Sequence, residues 1–164
     1  MKIAFVADSE QELNAFPNLI EKISKELKDL EPKEFFVHTV FEIPSKCLEL
    51  KECDLIFVMH LHEKEVPDFK SKILLEKLVD LELQHKGLKI IKAVEESNLD
   101  DALTEEDFEN AKEVFAEKWT QIILATLFDE QAFQPRQFAE KDSDDEETDY
   151  LGDNSEDFQD SEGN

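Results

Sequence analysis

The sequence of 164 residues is poor in several residue types on which common functions depend. It holds three glycines, and only Gly87 precedes Gly152, so it has neither a glycine-rich phosphate loop nor a dinucleotide-binding fingerprint. Its single arginine, Arg136, leaves almost no capacity for the bidentate phosphate clamps of nucleic-acid binders. Cys47 and Cys53 are too few for a disulfide framework, and we expect both to be buried thiols in a reducing compartment.

Basic residues are also scarce, since 42 acidic residues stand against 18 basic ones and give a formal net charge of -24. This balance argues against a nucleic-acid partner. Residues 140–164 hold twelve of the acids beside one lysine, and we predict a disordered tail there. The tail is either a solubilising segment or an acidic docking motif around Tyr150, Leu151 and Phe158. The acidity of the remainder is typical of a salt-adapted surface or of ordinary solubility, and the many lysines favour solubility.

Long hydrophobic runs are absent, because no apolar stretch approaches the about 20 residues that a membrane-spanning helix needs. The N-terminal apolar run meets Asp8 too early to be a signal peptide. We therefore expect a soluble, cytoplasmic protein without a membrane partner.

What is present is an alternation of strand and helix patterns over residues 1–139, which we predict to be one domain. The strand patterns lie at Lys2–Ala7, Glu34–Phe41, Leu55–Met59 and Leu88–Val94. Helical spacing of apolar residues separates them, and a further helix follows Thr104, which is placed as an N-cap. The fold class is α/β, a three-layer sandwich with a four-stranded parallel sheet.

The stretch from Cys53 to Glu63 is the centre of this pattern. Leu55–Met59 is apolar throughout, which is typical of a strand buried on both faces of a parallel sheet. Ligands of such sheets bind at the carboxyl ends of the strands. Because His60, Leu61 and His62 follow the apolar run directly, they lie where a site is expected.

Three interpretations of these polar residues stay open. His60 and His62 point to the same side of an extended chain, so together they suit a zinc or other divalent ion, an acid–base or substrate contact, or simply two polar residues ending a strand. Ser9 is placed either in a phosphate-contacting turn or as a helix cap. We expect His38 and His85 to be structural.

The helix predicted from Pro67 to about His85 is apolar over more than one face. Such a helix is buried either within its own fold or against another subunit. Because a domain of this size has little depth, we expect a subunit contact and a homo-oligomer.

Several short stretches resemble one family, the archaeal-type riboflavin synthases, which are relatives of lumazine synthase. The quoted stretches are Lys2–Asp8, Thr39–Ile43, Pro44–Cys47, Cys53–Ile56 and Ala111–Phe128. They are similar to the family's first strand with its terminal Asp, its Thr-Val-Pro-Gly-Ile and Pro-x-x-Cys segments, its Cys-Asp-Ile-Val strand and its last helix.

The resemblance implies a lumazine synthase-like fold, a pentamer, and an enzyme that dismutates two molecules of 6,7-dimethyl-8-ribityllumazine to riboflavin and a pyrimidinedione. The chain departs from the family where Phe41-Glu42 replaces Pro-Gly and where His60–Glu63 replaces Gly-Met-Pro-Gly. A non-catalytic oligomeric relative with a structural or ligand-binding role is therefore the alternative. We assign no catalytic residue, cofactor or metal ligand. The residues expected to bind a lumazine- or flavin-type ligand are Asp8, Ser9, Phe41, Ile43, His60 and His62.

Overall fold

The structure, a computed structural model, describes residues 1–9, 13–62, 69–96 and 104–128. In these ranges strands and helices alternate along the chain. The strands are β1 (Lys2–Asp8), β2 (Glu31–Val37), β3 (Leu55–His62) and β4 (Ile90–Glu96). The helices are α1 (Phe16–Glu26), α2 (Ile43–Glu49), α3 (Phe69–Gln84) and α4 (Glu105–Phe128), and a short 3-10 turn, Val40–Glu42, precedes α2.

The four strands form one parallel sheet in the order β2-β1-β3-β4. The connection from β1 to β2 leads toward one edge of the sheet. The connections from β2 to β3 and from β3 to β4 lead toward the other edge. Right-handed crossovers then place α1 on one face and α2 and α3 on the other. Helix α4 packs beside α1, so the chain is a three-layer α/β sandwich as predicted.

The first core lies between the sheet and helices α1 and α4, and aromatic rings fill its centre. The ring centroid of Phe57 lies 5.9 Å from that of Phe5 and 5.5 Å from that of Trp119. Phe16 from α1 and Phe115 from α4 contact the same ring at 6.3 and 6.4 Å. Such tilted and edge-on pairs add to the stabilisation from apolar burial.

The second core lies between the sheet and helices α2 and α3. Ile43 and Cys47 from α2 pack there with Leu74 and Leu78 from α3. Side chains alternate between the two cores along β1 and β3, which is why both strands are apolar throughout. The buried run Leu55–Met59 was predicted on this basis, and the structure confirms it.

Local signals explain several helix ends. Pro17 lies in the first turn of α1, where its missing N–H has no helical acceptor to lose. Gly87 adopts a φ of 95° in the turn after α3, a conformation that favours glycine. Thr104 and Asp107 cap α4 reciprocally, because the Thr104 Oγ1 accepts from the Asp107 N–H at 3.2 Å and the Asp107 Oδ2 accepts from the Thr104 N–H at 2.9 Å.

The position of β2 differs from the prediction. The strand was expected over Glu34–Phe41, where aromatic and β-branched residues favour strand structure, but it spans Glu31–Val37. Pairing with β1 sets this register, since Glu31 lies opposite Lys2 and Val37 opposite Asp8. The pairing ends with Asp8 and Val37, and the chain then turns at Val40–Glu42 into α2.

Helix α3 carries apolar side chains on two sides. Leu74 and Leu78 are buried in the second core, whereas Leu75, Val79 and Leu83 are exposed by 36%, 45% and 76%. These last three recur at every fourth residue and form a stripe on the outer side of the helix. The helix is thus apolar beyond the face that the sheet covers.

Other predictions fall on residues that the structure does not describe. The predicted domain boundary at residue 139 and the acidic tail at 140–164 both lie outside the described ranges. Within those ranges, no helix is long and apolar enough to cross a membrane.

Candidate functional site

The candidate site lies at the carboxyl ends of β1 and β3, the two central strands of the sheet. The connection that leaves β1 and the connection that leaves β3 run toward opposite edges of the sheet. A crevice forms at such a switch point in open α/β sheets, and ligands bind there. The polar residues predicted from the sequence at these strand ends are Asp8 and His60.

Asp8 and His60 form a buried hydrogen-bonded pair. The His60 Nδ1 lies 2.9 Å from the Asp8 Oδ2, and the two residues are exposed by only 6% and 1%. Alternation along the strands brings them together, because both continue the row of side chains that faces the second core. In this row, Asp8 comes after Val6 of β1 and His60 comes after Val58 of β3.

The pair defines which ring nitrogen of His60 faces Asp8. When the Asp8 carboxyl is ionised it has no hydrogen to donate, and the Nδ1 of His60 is then the donor. The Nε2 is the other ring nitrogen of His60, and it is buried as well. A carboxylate that orients an imidazole in this way is the arrangement that hydrolytic triads use for general acid–base chemistry.

His62 lies two residues further along β3, on the same side of the strand as His60. It is partly exposed, and its partner in the register with β4 is Glu96. Directly opposite residues on one sheet face have Cβ atoms about 5 Å apart, so an acid and a histidine again lie side by side. His62 therefore marks the solvent side of the site and His60 its buried side.

Ser9 links the end of β1 to the segment after β2. Its N–H donates to the Val37 carbonyl at 2.7 Å, and its Oγ donates to the His38 carbonyl at 3.5 Å. The N–H of His38 donates in turn to Glu42 Oε2 at 3.3 Å. Ser9 thus acts in the structure as a turn residue that holds two strand ends together.

The two candidates from the segment after β2 lie in different environments. Phe41 is 52% exposed in the 3-10 turn and presents an aromatic surface to solvent. Ile43 is fully buried at the start of α2 and belongs to the second core. Phe41 is accordingly available for a ligand contact, whereas Ile43 supports the site from within the core.

The cysteines lie away from this chemistry. Both are free thiols, and burial raises the pKa of Cys47 to about 12. Burial raises the pKa of Cys53 as well. A protonated thiol is a poor nucleophile, so neither cysteine is prepared for covalent catalysis at neutral pH.

The divalent-ion interpretation of His60 and His62 receives no support from the described ranges. Among those residues, no group of three or more His, Cys, Asp or Glu side chains is arranged to hold a metal ion. Glu63, the next acid along the chain, lies outside the described residues.

Comparisons with known proteins leave the site to be interpreted from its own geometry. No protein-family model matches the chain, and no curated protein matches it.

Sequence reasoning had named Asp8 and His60 separately and missed the bond between them. It also missed Glu95, which accepts from the Trp119 Nε1 at 3.1 Å and pairs with Lys118, fastening the end of β4 to α4. The only available signal was that Asp8 and His60 each end an apolar run whose alternation points them to one face.

Replacing Asp8 with alanine should lower the free energy of unfolding by about 1–3 kcal/mol, because the buried Nδ1–H of His60 loses its acceptor. Urea unfolding followed by circular dichroism measures this loss. Asp54→Ala is the matched control, since the exposed Asp54 Oδ2 also accepts an N–H, that of Lys2 at 2.7 Å. Its loss should be smaller, about 0.5–1 kcal/mol. Equal losses in the two variants would contradict a special role for the buried pair.

Proposed function

We propose that the chain binds a lumazine- or flavin-type ligand at the carboxyl ends of β1 and β3. We further propose that it catalyses a riboflavin synthase-like dismutation of two 6,7-dimethyl-8-ribityllumazine molecules to riboflavin and a pyrimidinedione. The observation that carries the proposal is the buried Asp8–His60 pair at the switch point of the sheet. The resemblance of the surrounding strands to archaeal-type riboflavin synthases supplies the reaction.

The reaction needs proton transfers that an oriented imidazole can perform. Moving a four-carbon unit between two lumazines requires removal of a proton from a ring methyl group before carbon–carbon bonds form. It also requires that protons be returned as the pyrimidinedione departs. His60 would take and return protons at Nε2 while Asp8 holds the ring and stabilises its charged form.

The charges around the site suit a ligand without phosphate. The described acidic residues near these strand ends include Asp8, Glu42 and Glu96. Negative charges at a cleft repel an anionic ligand. The ribityl chain of a lumazine is uncharged and rich in hydroxyls, so it can be recognised by hydrogen bonds to these carboxylates. Free thiols at Cys47 and Cys53 are typical of a reducing cytoplasm, where we place this activity.

A non-catalytic relative is the second candidate, and the burial of His60 favours it. At 6% exposure, the imidazole reaches a ligand only if the residues around it move aside. The resemblance also ends at this point, since His60-Leu61-His62-Glu63 replaces the glycine-containing turn of the family. A protein that binds the heterocycle in an oligomer without turning it over would keep the fold and lose these turns.

Incubation of the purified chain with 6,7-dimethyl-8-ribityllumazine should produce riboflavin, detected by its fluorescence and by mass spectrometry. His60→Gln should lower the rate by about 10²–10⁴-fold, because the proton-transferring group is lost. His85→Gln is the matched control, since His85 follows α3 at the opposite end of the sheet, and its rate should be unchanged.

The outcomes separate the two candidates. Lumazine binding without riboflavin formation would favour the non-catalytic relative. Absence of both binding and product would contradict the proposed function altogether.

We also propose that the chain is a homo-oligomer that contacts its neighbours through the outer stripe of α3. Leu75, Val79 and Leu83 are exposed there, and Phe69 at the start of the helix is 62% exposed. Contiguous apolar surface of this kind marks an interaction site in a monomeric fold. Head-to-tail contacts between identical chains close into a ring when the rotation permits, and the resemblance implies a ring of five.

Multi-angle light scattering at micromolar concentration and physiological salt should give a mass close to that of a pentamer. Val79→Glu should lower this mass toward that of the single chain, since the contact would bury an unpaired charge. Leu78 is unsuitable for this test, because it is fully buried in the second core.

Lys77→Gln is the matched control for this variant. It changes the net charge by the same amount on the same helix, at an exposed position outside the stripe. A monomeric mass for the unaltered chain would refute the oligomer, and equal dissociation by both variants would show that charge alone was responsible.

A further inference from the structure

Among the described residues, strand β4 is an edge of the sheet, and its outer backbone groups face away from β3. Ile56 of β3 donates its N–H to the Lys89 carbonyl at 2.9 Å and has Ile90 as its register partner. In a parallel ladder a residue bonds to the neighbours of its register partner. The N–H and C=O of Ile90 therefore point outward, in the direction from which a further strand would approach.

Both outward groups of Ile90 are occupied by side chains of the same chain. The Ile90 N–H donates to the Glu82 Oε1 at 3.0 Å, and the Ile90 carbonyl accepts from the Lys92 Nζ at 3.2 Å. Glu82 and Lys92 are themselves paired through the Glu82 Oε2 and the Lys92 Nζ. The carboxylate and the ammonium thus supply one acceptor and one donor, as the backbone of an additional strand would.

Lys92 also places a charge in an otherwise apolar row. It lies between Ile90 and Val94 on the side of β4 that faces the second core. Its side chain is 20% exposed and that of Glu82 is 25% exposed, so the pair keeps limited contact with water. An added strand would take away this remaining hydration, and charges that are directed inward on an edge strand oppose strand addition for that reason.

The edge would otherwise be prone to association. Residues 88–94 read Leu-Lys-Ile-Ile-Lys-Ala-Val, and Ile90, Ile91 and Val94 favour strand structure. An open edge of this composition is a template for another chain. The nearest available partner with a matching strand is a second copy of the same protein.

We propose that the Glu82–Lys92 pair blocks strand addition at the β4 edge by bonding to the backbone groups that a fifth strand would use. It thereby prevents a second copy from extending the sheet. The pair directs self-association away from β4 and leaves the outer surface of α3 for the oligomer. Two side chains thus act on the choice of interface as well as on the attachment of α3 to the sheet.

The double variant Glu82→Leu/Lys92→Leu removes the ion pair and keeps the net charge. Replacement of a half-buried ion pair by apolar side chains commonly preserves folding. Sedimentation velocity across a concentration series should give at least a twofold increase in weight-average mass over the unaltered chain. Glu109→Leu/Lys112→Leu makes the same replacements at an ion pair on α4 and should leave the mass unchanged. Because each mass is compared with that of the unaltered chain, the result does not depend on the oligomeric state of that chain.

A folded double variant with an unchanged mass would overturn the proposal and reduce the pair to a structural contact. Amide hydrogen exchange of the unaltered chain gives a second test. The Ile90 N–H should be protected although it faces outward, and Glu82→Ala should speed its exchange by about ten-fold, because a hydrogen bond of ordinary strength is lost. If the Ile90 N–H of the unaltered chain exchanged as fast as an exposed amide, the proposal would equally be refuted.

Discussion

The burial of one hydrogen-bonded polar pair, Asp8 with His60, is the constraint on which the rest of the site depends. Polar groups of this kind are costly inside an apolar fold unless each one finds its partner. The two central strands must therefore end in register, with both side chains on the face of α2 and α3. A slip of one residue in either strand would send one member to the opposite core. The pairing of Val6 with Val58 and of Ala7 with Met59 keeps them aligned.

The same constraint connects the fold to the proposed chemistry. The apolar runs of β1 and β3 bury the sheet on both faces, and they also bring an acid and an imidazole to the switch point. An imidazole whose ring is held by a buried carboxylate has one defined nitrogen for proton transfer. Residues further out, such as His62 and Phe41, are partly or well exposed and can contact a ligand without being fixed by the core.

Much of the architecture could be predicted because it follows from local periodicity. Leu55–Met59 was recognisable as a doubly buried strand, and Thr104 as a cap, from neighbours in sequence alone. The prediction failed for β2, where the propensity of Phe35–Phe41 for strand structure was overridden by pairing with β1. It also missed the Asp8–His60 and Glu82–Lys92 contacts. The first joins residues 52 positions apart and depends on a register that no single segment encodes. The second depends on how the end of α3 meets the edge of the sheet.

The central claim is that Asp8 holds the ring of His60 at the place where we propose that the ligand binds. Nuclear magnetic resonance of ¹⁵N-labelled histidine side chains tests it directly. The account predicts a slowly exchanging proton on the Nδ1 of His60, its loss in Asp8→Ala, and a shift of the Nε2 signal when 6,7-dimethyl-8-ribityllumazine is added, with His85 unchanged. A His60 ring that exchanges its protons as rapidly as free imidazole, and that does not respond to Asp8→Ala or to the lumazine, would contradict it.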